Sequence, residues 1–335
     1  MSEYVRRCII VTLGALIGCT GACGGSTKMS GAGGSATGGQ AVGTGGNGTG
    51  GTTASNGGGG GGGSSPSSGG AVGTGGADGG STAGCSAGPG YGGAPAPTQV
   101  TSASGAIVDL AGAPVPNVFV EVSGIDLAFT STTSASGSFT ISPGHPLTKP
   151  MLKFGDSVAW AELAVPVTMA TTGFGNLTTA ALPAAGAPFA PGAAAVSAGV
   201  SLSLPAGATA TIDTLNYSTP DQQLFRIVQI PVEKETAVPG IAQYAFVLLF
   251  GATPLETQFC PVAAITVPNN AIPPLPANSA VEFWGLGLDV GQAWAPFGDW
   301  AKLSDGQVSA DGTTIATAPN QGFAVLETFA VRSKM

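Results

Sequence analysis

Glycine is what most limits the fold of this chain. Between Gly24 and Pro95 lie more than half of its 56 glycines, with Ser, Thr and Ala filling most of the rest and Lys28 and Asp78 the only charges. Such a segment has almost no apolar surface to bury, and glycine makes ordering costly in backbone entropy. The expectation is a flexible tether whose root-mean-square span over about 72 residues is roughly 45–50 Å. "AVGTGG" occurs at 41–46 and again at 71–76, which is low-complexity repetition. Glycine spacings here match phosphate-loop patterns, but those carry meaning only between a strand and a helix, and no apolar strand adjoins them.

Upstream, Arg6 and Arg7 precede an apolar run from Cys8 to Gly18. Charge, then a short hydrophobic core, then small residues is the order of a secretory signal. The run is about eleven residues, far below the roughly 20 that a membrane-spanning helix needs. Its end, Leu16-Ile17-Gly18-Cys19, resembles a bacterial lipobox. The resemblance implies cleavage between Gly18 and Cys19 and acylation of Cys19. It also implies the outer membrane, since Thr20 and not Asp follows the cysteine. The plainer alternative is an ordinary signal with a chance cysteine. Cys23 matches less well, because Thr20 stands where the lipobox has a branched apolar residue. Two or three acyl chains anchor stably where one is marginal, since each buried methylene contributes about 0.8 kcal/mol.

Ala96 to Met335 is enough for one large or two ordinary domains. Charged residues make up 8% of the chain and mean hydropathy is +0.33, without a stretch long enough to span a membrane. Short apolar runs broken by Pro, Gly, Ser and Asn read as an all-β body. A net charge of −8 with ten scattered Lys and Arg makes nucleic acid an improbable partner. In the block 105–142, Val118, Val120 and Val122 alternate with Phe119 and Glu121, the period of a half-buried strand. "DLAGAP" and "SASGS" supply turns on either side.

Gly105, Ile107, Asp109, Gly112, Pro114 and Val115, followed by Thr133, Gly137 and Phe139, make this block resemble the carboxypeptidase-regulatory-like domain, a transthyretin-type β-sandwich. Ser134 replaces an Asp of that pattern. The resemblance implies a structural or binding module over 97–170 with no catalytic residues. Residues 171–194 read as an Ala/Pro-rich connector interrupted by Pro183, Pro188 and Pro191, with a buried helix as the rival reading. Beyond it, Val200, Leu202 and Leu204 share a face, and "YAFVLLFG" (244–251) suits a strand buried on both sides. With the hairpin "GQVSADG" and a final apolar strand, 195–335 resembles sandwich modules of bacterial surface proteins, distantly like those of ankyrins and netrin receptors. Relatives that cleave themselves use a His-Phe-Ser sequence, and this block has no histidine.

The single histidine, His145, has no strand-to-helix G-x-S-x-G elbow, H-E-x-x-H helix or Cys-x-x-Cys pair to complete a site, so no catalysis, metal or cofactor is expected. Three features merit weighing. Trp284, Trp294 and Trp300, with Phe283 and Phe297, fall close together, and such rings either stack on sugars or pack a core. Trp294 and Trp300 are the pair expected to face a polysaccharide. Asp299, Asp305 and Asp311 sit among glycines, where calcium ligation competes with simple hairpin turns and the turns are favoured. Cys85 and Cys260 are candidates for a disulfide in an oxidising compartment, with Cys23 also available.

The layout expected is a signal peptide (1–18), a lipidated and glycine-rich tether (19–96), a sandwich (97–170), a connector (171–194) and a second sandwich (195–335). The function expected is a structural or binding envelope lipoprotein that is not an enzyme. Its partners would be the membrane and an envelope polysaccharide or protein, and it would face the periplasm or the exterior. The alternative is a carbohydrate-binding accessory or hydrolase component using an unrecognised carboxylate pair.

Overall fold

A computed structural model describes residues 96–334 apart from 125–126, 236–237, 239 and 288–294, and these residues are all-β save one helical turn, α1 (Ile241–Tyr244). The first nine strands are β1 (Thr98–Val100), β2 (Ser102–Val108), β3 (Phe119–Ser123), β4 (Ala128–Thr132), β5 (Ser138–Ile141), β6 (His145–Leu147), β7 (Met151–Gly155), β8 (Leu163–Pro166) and β9 (Thr171–Thr178). They form a three-stranded sheet β5-β2-β9, a four-stranded sheet β4-β3-β7-β8 and a small pair β1-β6. The two larger sheets bury their faces in one cluster, with Ala103, Ile107, Phe139 and Leu177 from one and Val120, Val122, Leu152 and Phe154 from the other. The valine alternation holds: Val118, Val120 and Val122 are buried while Phe119 is 42% exposed.

The turn residues have identifiable work. Asp109 Oδ1 accepts from the backbone N–H of Ala111 and of Ala113, both at 2.8 Å, which closes the loop in which Gly112 takes φ +83°. Thr133, buried, donates from Oγ1 to Val115 O at 2.7 Å and accepts from Val118 N at 2.9 Å, so one hydroxyl pins two neighbouring segments. Gly137 has φ +74°, and a Cβ there would lie 2.5 Å from Ile107 O. Only glycine fits that position without displacing backbone. Ser134 takes the turn role of an Asp, accepting from Ser138 N at 3.2 Å.

Residues 171–194 depart from the connector expected of them. Thr171–Thr178 is β9, paired in parallel with β2, and beyond it Ala181 and Ala187 make isolated bridges to Trp160 and Phe225. Gly173 and Gly175 in β9, and the register shift opposite Ser104–Ala106, erase the apolar alternation that would have marked a strand.

The remaining strands are β10 (Ala194–Ser197), β11 (Val200–Ser203), β12 (Thr209–Thr211), β13 (Arg226–Ile230), β14 (Leu248–Thr253), β15 (Thr257–Pro268), β16 (Ala280–Leu286), β17 (Trp300–Val308), β18 (Thr314–Thr317), β19 (Phe323–Leu326) and β20 (Phe329–Ser333). They join in a single eleven-stranded sheet, ordered β10-β11-β15-β18-β17-β16-β20-β14-β13, with β12 and β19 also on β15. The sheet curls until its ends nearly meet, where Ile227 N donates to Ser197 Oγ at 3.3 Å. Its interior holds Phe225, Ile227, Phe250, Phe283, Phe323 and Phe329.

β14 is buried along its whole length, as the continuous apolar run requires, although the run's first residues belong to α1 and its exit. Leu248, Phe250 and Ala252 enter the curled sheet's interior, whereas Leu249 belongs to the same cluster as the first sandwich. Ile230, Leu286 and Ala330 join Leu249 there, so the two β-assemblies share one core. A Cβ on Gly251 would lie 2.9 Å from Ala161 Cβ and 3.3 Å from Ile230 Cδ1. Gly251→Val should therefore destabilise the protein by about 2 kcal/mol through overpacking. Urea unfolding checks this, and a variant as stable as wild type would mean that the contact is not tight.

Candidate functional site

The strongest concentration of perturbed ionisable groups lies where the sandwich meets the curled sheet. Glu162, just before β8, accepts at Oε2 from the Tyr217 hydroxyl at 2.7 Å and from Thr253 Oγ1 at 3.3 Å. The Tyr217 oxygen also accepts from Leu255 N at 2.9 Å, which fixes the ring's position. Tyr217 is 6% exposed and Thr253 fully buried. Beside them Lys153 of β7 donates to Glu256 Oε1 at 2.7 Å, and Glu121 is its cross-strand neighbour.

Burial pushes the Glu162 carboxyl up to about 7, against the opposing pull of the Tyr217 hydroxyl and the Lys153 ammonium. Burial and the neighbouring carboxylate push the Tyr217 phenol well above its ordinary range. Burial works against the charge on Lys153, but Glu256 outweighs it, with Glu121 and Glu327 adding to the effect, and the ammonium is held charged. The arrangement can take up or release one proton near neutrality. These residues come from six separate segments, so no spacing announces them. The available signal was an acid set within the apolar run "AWAELAVPV" in a chain with few charges.

A second cluster is aromatic. Trp300 is 3% exposed, its ring centroid 4.6 Å from that of Phe246, and so it packs the core and offers no face to a sugar. This corrects the expectation that it faces a polymer: its strand position points it at the shared core. Phe283 is fully buried, and Phe297 packs partly against the shared core. Trp294 lies outside the described residues. Half-buried Trp284 stacks under Arg332, 4.2 Å from ring centroid to Cζ, and its Nε1 donates to Glu282 Oε2 at 3.1 Å. Arg332 Nη2 meets the same carboxylate oxygen at 2.8 Å. The Tyr244 hydroxyl donates to Asp299 Oδ1 at 3.0 Å, and partial burial followed by that carboxylate raises the phenol's pKa.

The three aspartates do not converge. Asp299 binds Tyr244 and Trp300 N, Asp305 pairs with Lys334 and Lys302, and Asp311 closes the β17–β18 hairpin. A hydrogen bond from Ser309, then those from Thr313, lower Asp311 to about 2. Gly312 follows with φ +75°, the left-handed residue of the expected hairpin turn, whereas Asp305 and Gly306 lie within β17 and not in a turn. Among the described residues no group of three or more His, Cys, Asp and Glu is placed to hold a metal ion. His145 is exposed on β6, its ring stacked on Phe129 at 5.9 Å. Cys260, on β15, is disulfide-bonded, while Gly18, Cys19 and Cys85 lie outside the described residues. No protein-family model and no curated protein matches this chain.

The folded protein holds on Glu162 a proton that the unfolded chain, with its carboxyl near 4.5, releases. Stability should therefore be full below that lower value and fall as pH rises towards about 7, at up to about 1.4 kcal/mol per pH unit. Glu162→Gln, which keeps an acceptor for Tyr217 and Thr253, should flatten this slope and leave the variant more stable than wild type at pH 8. Chemical denaturation from pH 4.5 to 8 reads both curves, and parallel curves would place the titration elsewhere.

Proposed function

We propose that this protein is a membrane-anchored envelope lipoprotein with a structural or binding role, without catalysis of its own. The observation that carries the reading is Leu16-Ile17-Gly18-Cys19 behind a short apolar run and a basic start. The disulfide at Cys260 supports it, because such bonds persist in extracytoplasmic compartments and are rare in the cytosol. A body of many short strands with few charges suits a binding or spacing module. Asp299, Asp305 and Asp311 are each occupied by local partners, which supports a role without a metal. Cys19 would carry the acyl chains, and Cys85 remains the candidate partner of Cys260.

A second reading, a hydrolase component acting on envelope polysaccharide, draws on one observation. Glu162 keeps its proton near neutrality beside the Glu256 carboxylate, as an acid and a base would. The Tyr217 and Thr253 hydroxyls that already occupy Glu162 favour the first reading. The anchor is tested by growing producing cells with a clickable fatty acid. Wild-type protein should be labelled and sediment with membranes, and Cys19→Ser should lose the label and the association. Unlabelled wild-type protein in the soluble fraction would overturn the assignment.

A further inference from the structure

From Leu163 to Ile212 and again from Thr257 to Val281 the chain carries no Asp, Glu, Lys or Arg. The fold brings these two stretches together on one surface. Strand register aligns Ala280, Gln307, Ala316, Thr266, Ser201 and Val196 side by side across β16, β17, β18, β15, β11 and β10. Each of the six lies on the outer face, exposed or half-exposed, with inward neighbours such as Val308, Ile315, Val267 and Leu202 buried in the interior. With strands about 4.8 Å apart, the row is a track about 24 Å long. It bears small, hydroxyl or amide side chains and no charge. Val196, 56% exposed at its far end, is its one large apolar group.

At the β16–β18 end the track deepens into a groove of about 530 Å³, within the range of roughly 300–1,000 Å³ common for ligand sites. Its polar lining is Asn278, Gln307, Ser309, Thr314 and Thr317, and none of its lining residues is charged. Gln307 Nε2 donates to Asn278 O at 3.2 Å, which orients the exposed amide. The nearest charge is Asp311 in the β17–β18 turn, whose carboxylate accepts from the lining residue Ser309 and from Thr313, while Glu282 and Asp305 on the next outward rung are met by Arg332, Lys302 and Lys334. The surface therefore presents hydrogen-bonding groups over a floor of small residues, with the Asp311 carboxylate at one edge and no cation in the lining to attract a polyanion.

We propose that this track and groove bind an extended, uncharged polysaccharide, whose hydroxyls are met by the Gln307 amide and the Thr314 and Thr266 hydroxyls. The proposal rests on the binding role argued above and names its ligand class. It moves the site away from Trp300 to the opposite end of β17. An anionic polymer would have to shed its counterions onto a surface with no cation to replace them. A flat ring lying on Ala280 and Ala316 needs no such compensation.

Isothermal titration of the full chain with soluble dextran, laminarin and yeast mannan, with polygalacturonate as the anionic control, tests this. At least one neutral polymer should bind, and polygalacturonate should not. Gln307→Ala should weaken binding about fivefold, the scale of one lost hydrogen bond. Ala316→Arg, which sets a cation in the middle of the track, should abolish it, with both variants keeping the wild-type circular dichroism. Binding by no neutral polymer, equal binding of polygalacturonate, or variants that bind like wild type would overturn the proposal. So would self-association of the protein that Ala316→Arg removes, since the face would then be a contact between copies. The fatty-acid labelling at Cys19 is independent, so the anchor and the track can fail separately.

Discussion

The structure depends on one strand being buried on both of its faces. β14 sends Leu248, Phe250 and Ala252 into the curled sheet and turns Leu249, Gly251 and Thr253 towards the sandwich. Opposite it, Ile230 and Ala330 stand in register with Leu249, so three adjacent strands offer one apolar outer surface. The sandwich covers that surface with Leu163, Ala161 and their neighbours. At roughly 25 cal/mol per Å² of apolar area removed from water, a shared core of this kind dominates anything the few polar contacts contribute. The two β-assemblies are for that reason joined through one core.

The polar groups at this junction follow from the same packing. Thr253 and Glu162 lie where apolar cover gives way, and each must find a partner because an unpaired buried polar group is costly. Tyr217, carried in by a loop, satisfies Glu162 and Leu255 N with one oxygen. Arg226, 1% exposed on the outward face of β13, is met by Asp221 Oδ1 and O and lies near Ser157 O of the sandwich. Charge is scarce in this chain, and the cations Lys153 and Arg226 are each matched by a carboxylate. The opposite side of the curled sheet is the reverse case: a broad face with almost no charge to match.

Much of the sandwich was legible before any coordinates. Asp109, Gly112, Thr133, Gly137 and Phe139 mark local geometry, and local geometry leaves a residue signature: a carboxylate capping a turn, a glycine where φ is positive, a ring at a buried strand position. β9 escaped because its glycines erase alternation and because its partner β2 is distant in sequence and parallel. The side that Trp300 faces is hidden from the sequence for a related reason. Which face of β17 meets the core depends on the register shift between Phe283 and Trp284, and no residue pattern encodes that.

By itself, the sequence determined that the body is all-β, that its strands are short, that one of them is covered twice, and that a short apolar run ending at Cys19 and a glycine-rich segment precede it. These are properties of neighbouring residues: alternation, turn chemistry and the lack of anything to bury. Only the tertiary structure decided that eleven strands share one curled sheet, that Glu162 meets Tyr217 and Lys153, and that two uncharged stretches become one track. Each of those depends on pairing between residues far apart in the chain, chosen by which buried surfaces fit together.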